Sequence, residues 1–250
     1  GYRAPSMQGR LFGLDSLPTM AGAEKALSFE AGMKQDLFDR RARLSATVFH
    51  YRVKDKQLTA GSGTVNQNVL VNADKAIGQG VELDMQANLG GGFTGSFGSS
   101  YNDTEIKDAN LFVSPCGAPC TVTNPTATRN GSTVAFVNGN PLPRAPKWQH
   151  NFTLRYSQPL GNGEIYAYTD WAYRTLYNFF LYEAAEFKAK ELLEGGLRVG
   201  YRWNDGKYEL AAYGRNITNR IQALGAIDFN NLTGIVNEPR TYGVQFKANF

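Results

Sequence analysis

The chain has 250 residues, 42% of them hydrophobic, and a formal net charge of +4 from 26 basic and 22 acidic side chains. Mean hydropathy is −0.38, and no stretch approaches the roughly 18 apolar residues of a membrane helix, which excludes a helical membrane protein but leaves a membrane barrel open. The basic residues are scattered among apolar ones, which argues against nucleic-acid binding.

Residues 1–23 form the tail of a strand followed by a loop broken by Pro5, Gly9, Gly13, Pro18 and Gly22. The start, Gly1-Tyr2-Arg3-Ala4-Pro5, has neither an initiator Met nor an apolar signal core, so the sequence is expected to begin mid-protein or after processing, and the strand count below favours the first. From Ala26 to Phe38, Leu27, Phe29, Ala31 and Met33 share one face and Ser28, Glu30, Gly32 and Lys34 the other, the period of a strand. Asp39-Arg40-Arg41 then leads into a strand from Arg43 to Leu58. Its apolar parity changes at Phe49, Tyr51 and Val53, which predicts a bulge or an aromatic collar there. Residues 59–72, rich in Gly, Ser, Thr and Asn, are predicted to be a loop.

Ala76 to Leu89 is the clearest internal strand. Ile77, Val81, Leu83, Met85, Ala87 and Leu89 oppose Gly78, Gly80, Glu82, Asp84, Gln86 and Asn88. Consecutive polar positions on one face cannot line a dry core, because each would lose water without gaining a partner. The triple-glycine turn at 90–92 returns the chain into Phe93 to Lys107, and a long, polar, Pro-rich loop follows over 108–146. Strands are expected at Lys147 to Ser157, Glu164 to Arg174, Glu191 to Trp203 and Tyr208 to about Asn216. Between them lie a tight turn at 159–163, a loop at 175–187 and a hairpin turn at Asn204-Asp205-Gly206. The loop 217–238 precedes a final strand. There Tyr242, Val244, Phe246, Ala248 and Phe250 alternate with Thr241, Gly243, Gln245, Lys247 and Asn249.

Tight and long connections thus alternate, as the short periplasmic turns and long extracellular loops of an outer-membrane barrel do. The expected fold is all-β: an antiparallel up-and-down transmembrane β-barrel, here partial, with about nine strands and an open edge where a closed ring needs an even number. A soluble β-sandwich binding module is the rival architecture, with no reason for connections to alternate in length.

Several segments resemble the TonB-dependent outer-membrane receptors. Gly1-Tyr2-Arg3-Ala4-Pro5-Ser6 is similar to the family's aromatic-Arg-Ala-Pro segment, and Phe29-Glu30-Ala31-Gly32-Met33-Lys34 to one of its strands. Leu44 to Tyr51, Val71 to Ala76 with Gly80-Val81-Glu82-Leu83, Gly214 to Asn219, and Glu238-Pro239-Arg240-Thr241-Tyr242-Gly243-Val244 follow in the family's order. The resemblance implies a plugged barrel of about 22 strands, of which this chain holds the C-terminal part, the plug and early strands lying outside it. It further implies a bacterial outer-membrane location and active uptake of a scarce nutrient: a ferric siderophore, a cobalamin or an oligosaccharide. Its implied partners are outer-membrane lipid, TonB with ExbB and ExbD acting through the plug, and a small-molecule or metal-chelate ligand. The barrel-assembly machinery would read Tyr242, Phe246 and Phe250. A passive porin, without a plug, is the functional alternative.

No catalytic constellation, cofactor motif or metal-ligand set is present, and neither His50 nor His150 has a partner set. The chain is therefore not expected to be an enzyme. Cys116 and Cys120 are expected to form a disulfide rather than a metal site, since no His or further Cys accompanies them. Candidates for contacting ligand or plug from the lumen wall are Glu82, Asp84, Arg155, Tyr166, Tyr168, Asp170, Arg174, Arg198 and Arg202. In the extracellular loop 108–146 they are Arg129 and Arg144, since long loops on a rigid scaffold carry binding.

Overall fold

In a computed structural model, which describes residues 1–8, 18–61, 68–228 and 232–249, the chain is one curved wall of antiparallel strands. The wall comprises β1 (Tyr2–Arg3), β2 (Glu24–Leu37), β3 (Ala42–Gly61), β4 (Asn68–Gly90), β5 (Phe93–Lys107), β6 (Trp148–Leu160), β7 (Gly163–Arg174), β8 (Leu192–Trp203), β9 (Tyr208–Arg215) and β10 (Thr241–Ala248). These ten pair in chain order, so the sheet is an up-and-down meander whose outer edges, β1 and β10, are not joined. Phe250 lies outside the described residues.

Each alternating segment takes the face its pattern demands. Registers place Val48 opposite Val81, Val81 opposite Tyr101 and Tyr101 opposite Trp148, all in one outward row. Phe152 stands between Phe97 and Trp171 two steps further along. The inward rows carry Glu82, Asp84, Arg155, Tyr168, Asp170 and Arg198. Outward aromatics gather at two levels. Tyr101 and Trp148 lie 4.8 Å apart beside His150 and Tyr173 towards the long loops. Phe93 and Tyr156, 4.6 Å apart, and the Trp203, Tyr208 and Phe246 group lie towards the short turns. Two aromatic girdles around an apolar band are how a barrel seats in a bilayer.

The change of parity at Phe49 marks no bulge. Register with β2 runs unbroken from Lys25 opposite Lys54 to Leu37 opposite Ala42, and register with β4 is equally continuous there. Phe49 and Tyr51 keep the inward parity of Thr47 and stack with centroids 6.3 Å apart, their rings occupying the space where Gly80 and Gly78 lack a Cβ. Tyr166 over Gly200 and Tyr213 over Gly243 repeat the device.

The segment 59–72 is a second departure. β3 runs to Gly61 and β4 starts at Asn68, so the hairpin projects well past the roughly ten residues that span a bilayer. The hairpin turn after β8 is four residues long, since Trp203 pairs with Tyr208. Above the apolar band the long connections fold. Phe112–Val113, Thr126–Arg129 and Ser132–Phe136 make a three-stranded sheet. Tyr177–Asn178 pairs with Lys188–Ala189, and Ala223–Asp228 with Leu232–Val236. The apolar core gathers here. Leu58, Ala60, Ala73 and Ile106 of the projecting strands meet Val113, Ala135 and Val137 of one connection and Phe179, Leu181, Tyr182 and Phe187 of another.

Leu83→Arg in the intact protein should lower stability by about 2–4 kcal/mol, because it drives a charge into the lipid face. Asp84→Asn, one residue away on the wet face, should change it by less than about 0.5 kcal/mol. Urea titration in lipid vesicles measures both.

Candidate functional site

Two regions collect the chemistry. The first lies on the inner wall near the short turns. Glu209, on β9, accepts from the Tyr166 hydroxyl at 2.6 Å and from Arg198 Nη2 at 2.5 Å through Oε1, while Arg202 Nη2 reaches Oε2 at 3.2 Å. Arg198 also donates through Nε to the Tyr166 oxygen at 2.8 Å and through Nη2 to Gln245 Oε1 at 2.9 Å. Arg155 stacks over the Tyr166 ring at 4.7 Å and pairs with Glu164 at 2.7 Å. Ladder pairing brings these groups together, since Tyr168 opposes Arg198 and Arg202 opposes Glu209. The cluster therefore joins Arg155, Tyr166, Arg198 and Arg202 around the Glu209 carboxylate. Nη1 of each arginine makes no hydrogen bond among the described residues, which leaves a donor that can meet a neighbour.

Glu82, Asp84 and Asp170 lie on the same face, exposed and with no ion pair among the described residues. Tyr168 borders two concavities of the inner wall, one of about 550 Å³ and one of about 650 Å³. Arg174 belongs elsewhere. At the far end of β7 it donates to the carbonyls of Lys190 and Ala223 at 2.9 and 3.3 Å and covers the Tyr177 ring at 4.6 Å, tying the wall to two connections.

The second region is a vestibule of about 770 Å³ under the folded connections. Arg144, Lys56, Gln57, Phe179, Phe180 and Leu181 contribute to its lining. The Pro-rich stretch before β6 presents Arg144 at a left-handed residue, φ 58°, whose N–H donates to the Asn178 carbonyl at 2.9 Å. Leu142 N–H, donating to the Thr104 hydroxyl at 3.0 Å, anchors the same stretch to β5. Lys56 pairs with Glu24 at 3.2 Å. The Arg144 guanidinium has no ion pair among the described residues, which leaves its charge available to an anion. Arg129 does not reach the vestibule lining; its guanidinium stacks over Phe112 at 4.5 Å and Phe136 at 5.7 Å in the small sheet.

Asp228, also on the lining, holds three connections in place. Its Oδ1 accepts from Gly117 N–H at 2.6 Å and its Oδ2 from the Tyr182 hydroxyl at 2.5 Å, and that hydroxyl in turn accepts from Cys116 N–H at 3.2 Å. Burial, reinforced by the Asp228 carboxylate, raises the Tyr182 pKa well above the ordinary phenol value. A phenol so shifted adds stability that is complete below its unfolded value near pH 10 and lost only as pH rises through the folded one. Cys116 and Cys120 are joined in a disulfide with Cα atoms 5.9 Å apart, in the loop that Asp228 grips. Thr121, just beyond, donates both its N–H and its hydroxyl at 2.9 Å to Glu186, holding that carboxyl below its usual range.

Glu209 and Asp228 were not singled out by the sequence. The first had a signal: a four-residue turn after Trp203 puts Glu209 opposite Arg202. Asp228 had none, because its partners are distant in sequence. His150 takes no part in either region and stacks outward between Trp148 and Tyr173, with Ser99 Oγ 2.9 Å from Nδ1.

Comparison with known proteins agrees with this architecture. The family model described as TonB dependent receptor-like, beta-barrel, matches residues 1–217. Pesticin receptors of Yersinia enterocolitica and Yersinia pestis are 33% identical over 128 residues, 48% of this chain and 18% of theirs. The crystal structure of the ferric yersiniabactin uptake receptor of Yersinia pestis superposes with a TM-score of 0.73 at 18% identity, over 100% of this chain and 34% of that one. The siderophore receptor PiuA of Acinetobacter baumannii gives 0.63 at 17%, over 91% and 28%. At those identities the structural likeness speaks to fold alone, and the chain spans about a third or less of each relative.

Glu209→Ala should cost about 3 kcal/mol, since it strips two arginines of their shared acceptor, and a cycle with Arg198→Ala should give a coupling of about 1–3 kcal/mol by urea titration. Tyr182→Phe should leave Asp228 one donor short. Hydrogen exchange at the Gly117 amide should then speed up by about tenfold, near 1.4 kcal/mol of local opening.

Proposed function

Since the chain belongs to the TonB-dependent receptor β-barrel family, we propose that the intact protein is an outer-membrane receptor for active uptake of a scarce nutrient. The wall described here would surround a plug, and TonB with ExbB and ExbD would supply energy through that plug. The family match over most of the chain carries this reading. Glu82, Asp84, Asp170 and the outer donors of the Arg198 cluster are the groups we assign to the plug or to ligand in transit. The terminal strand, with Tyr242, Phe246 and Phe250, is assigned to recognition by the barrel-assembly machinery.

The ligand would meet the vestibule first. The Arg144 guanidinium, without an ion pair among the described residues, and the Phe179 and Phe180 rings favour a compact anion with apolar or aromatic surface, the chemistry of an anionic metal chelate. Folded connections fix these groups before binding, which reduces the ordering cost of capture.

Uptake of radiolabelled ferric chelates by cells carrying the full-length protein tests the reading. It should stop when TonB is deleted or the proton gradient is collapsed; uptake that persists would support a passive channel instead. Arg144→Glu should weaken chelate binding at least about tenfold by replacing attraction with repulsion. Fluorescence titration on purified full-length receptor measures it.

A further inference from the structure

The lipid-facing side holds a feature that transport does not use. Lys25 on β2 stands opposite Lys54 on β3, Lys54 opposite Lys75 on β4, and Lys75 opposite Lys107 on β5. Four lysines thus form one cross-strand row over four adjacent strands. Parity fixes their direction: Lys25 shares a face with Leu27 and Phe29, Lys54 with Val48, Lys75 with Val81, and Lys107 with Tyr101, all outward. The inward residues paired beside them, Val53, Ala76 and Ile106, are buried, Ile106 within the core that the folded connections share.

The row sits at a definite height. The outward residues Ile77 to Leu89 of β4, at about 3.3 Å rise and a tilt near 45°, cover about 28 Å of the membrane normal, the height of an apolar band. Lys75 lies one outward step beyond Ile77, on the side of the long connections. Lys75 therefore stands at the upper rim of the band, and because a cross-strand row is inclined where the strands are tilted, Lys54, Lys107 and Lys25 lie within about 7 Å of that height, a spread the headgroup layer spans.

Like charges directly opposite in a sheet repel, and this row contains three such pairs in succession. Of the acidic groups nearby, only one reaches the row, and it does so at the margin. Glu105 pairs with Lys107 at 2.5 Å, Asp103 with Lys147 at 2.9 Å, and Glu24 faces the other way, bonded to Lys56. Lys25, Lys54, Lys75 and Arg52, which stands outward between Leu27 and Ile77, have no ion pair among the described residues. With strands about 4.8 Å apart, the row extends about 15 Å, enough to span two phosphates on one headgroup.

We propose that this row binds the phosphorylated headgroup of an outer-leaflet glycolipid, with Lys25, Lys54 and Lys75 as the principal cations, Arg52 beneath them and Lys107 at the margin. The apolar band below takes the acyl chains. The site depends on the barrel wall and not on the identity of any imported ligand, so it can fail while uptake persists.

The probe is diphosphoryl lipid A, titrated into detergent-solubilised full-length receptor and counted by native mass spectrometry, with dephosphorylated lipid A as control. Binding should require the phosphates and weaken with salt. Replacing all four lysines by Gln should reduce affinity at least about tenfold, and replacing them by Arg should preserve it. Heat-modifiable gel migration verifies folding; should the fourfold Gln variant not fold, Lys54→Gln with Lys75→Gln decides, with a smaller loss expected. Unchanged binding in the Gln variants, or equal binding of dephosphorylated lipid A, overturns the proposal.

Discussion

Lipid offers no hydrogen-bond partner to a peptide group, so every N–H and C=O within the membrane must be satisfied by a neighbouring strand. This single constraint organises the chain. It makes the ladders from β2 to β10 almost unbroken, with a register shift only at the rim between Asn88 and Gly90. An unbroken ladder forces strict alternation, and alternation forces every second residue into lipid and the others into the lumen. The recurrent aromatic–glycine pairs follow as well, because rings such as Phe49 and Tyr166 can lie flat along the wall only where the facing residue has no Cβ.

Where water returns, the constraint relaxes and a different order takes over. The hairpin of β3 and β4 outgrows the membrane and, with the connections after β5 and β7, encloses a small apolar core. The packed interior of this chain thus lies among its long connections, as a cap on the wall. Arg144, Asp228 and Tyr182 are held on a rigid surface as a result, and loops of such length need that packing if they are to present a fixed vestibule rather than a mobile fringe.

The parts of this design visible in the sequence are those the membrane imposes. Ile77 to Leu89 and Thr241 to Ala248 declare both their strand and their faces, because the period of two is enforced on either side. Phe49 and Tyr51 misled because aromatic residues are usually assigned to lipid, whereas the glycines opposite them make room inside. Residues 59–72 misled because Gly, Ser and Asn suit a loop locally, while the pairing that extends the hairpin is fixed by contacts with the cap. Asp228 was invisible for the same reason: its partners, Gly117 and Tyr182, are more than 40 residues away. Lys25, Lys54, Lys75 and Lys107 were individually plain, but only the register aligns them.

The division of the wall into a lipid face and a wet face is the claim on which site, function and lipid row all depend. Single cysteines at each position from Ile77 to Leu89 of the full-length protein, labelled in vesicles with an environment-sensitive fluorophore, test it directly. Quenching by a lipid-borne quencher is expected at 77, 79, 81, 83, 85, 87 and 89, and by an aqueous quencher at 78, 80, 82, 84, 86 and 88. A profile without that alternation, or with its phase reversed, would contradict it.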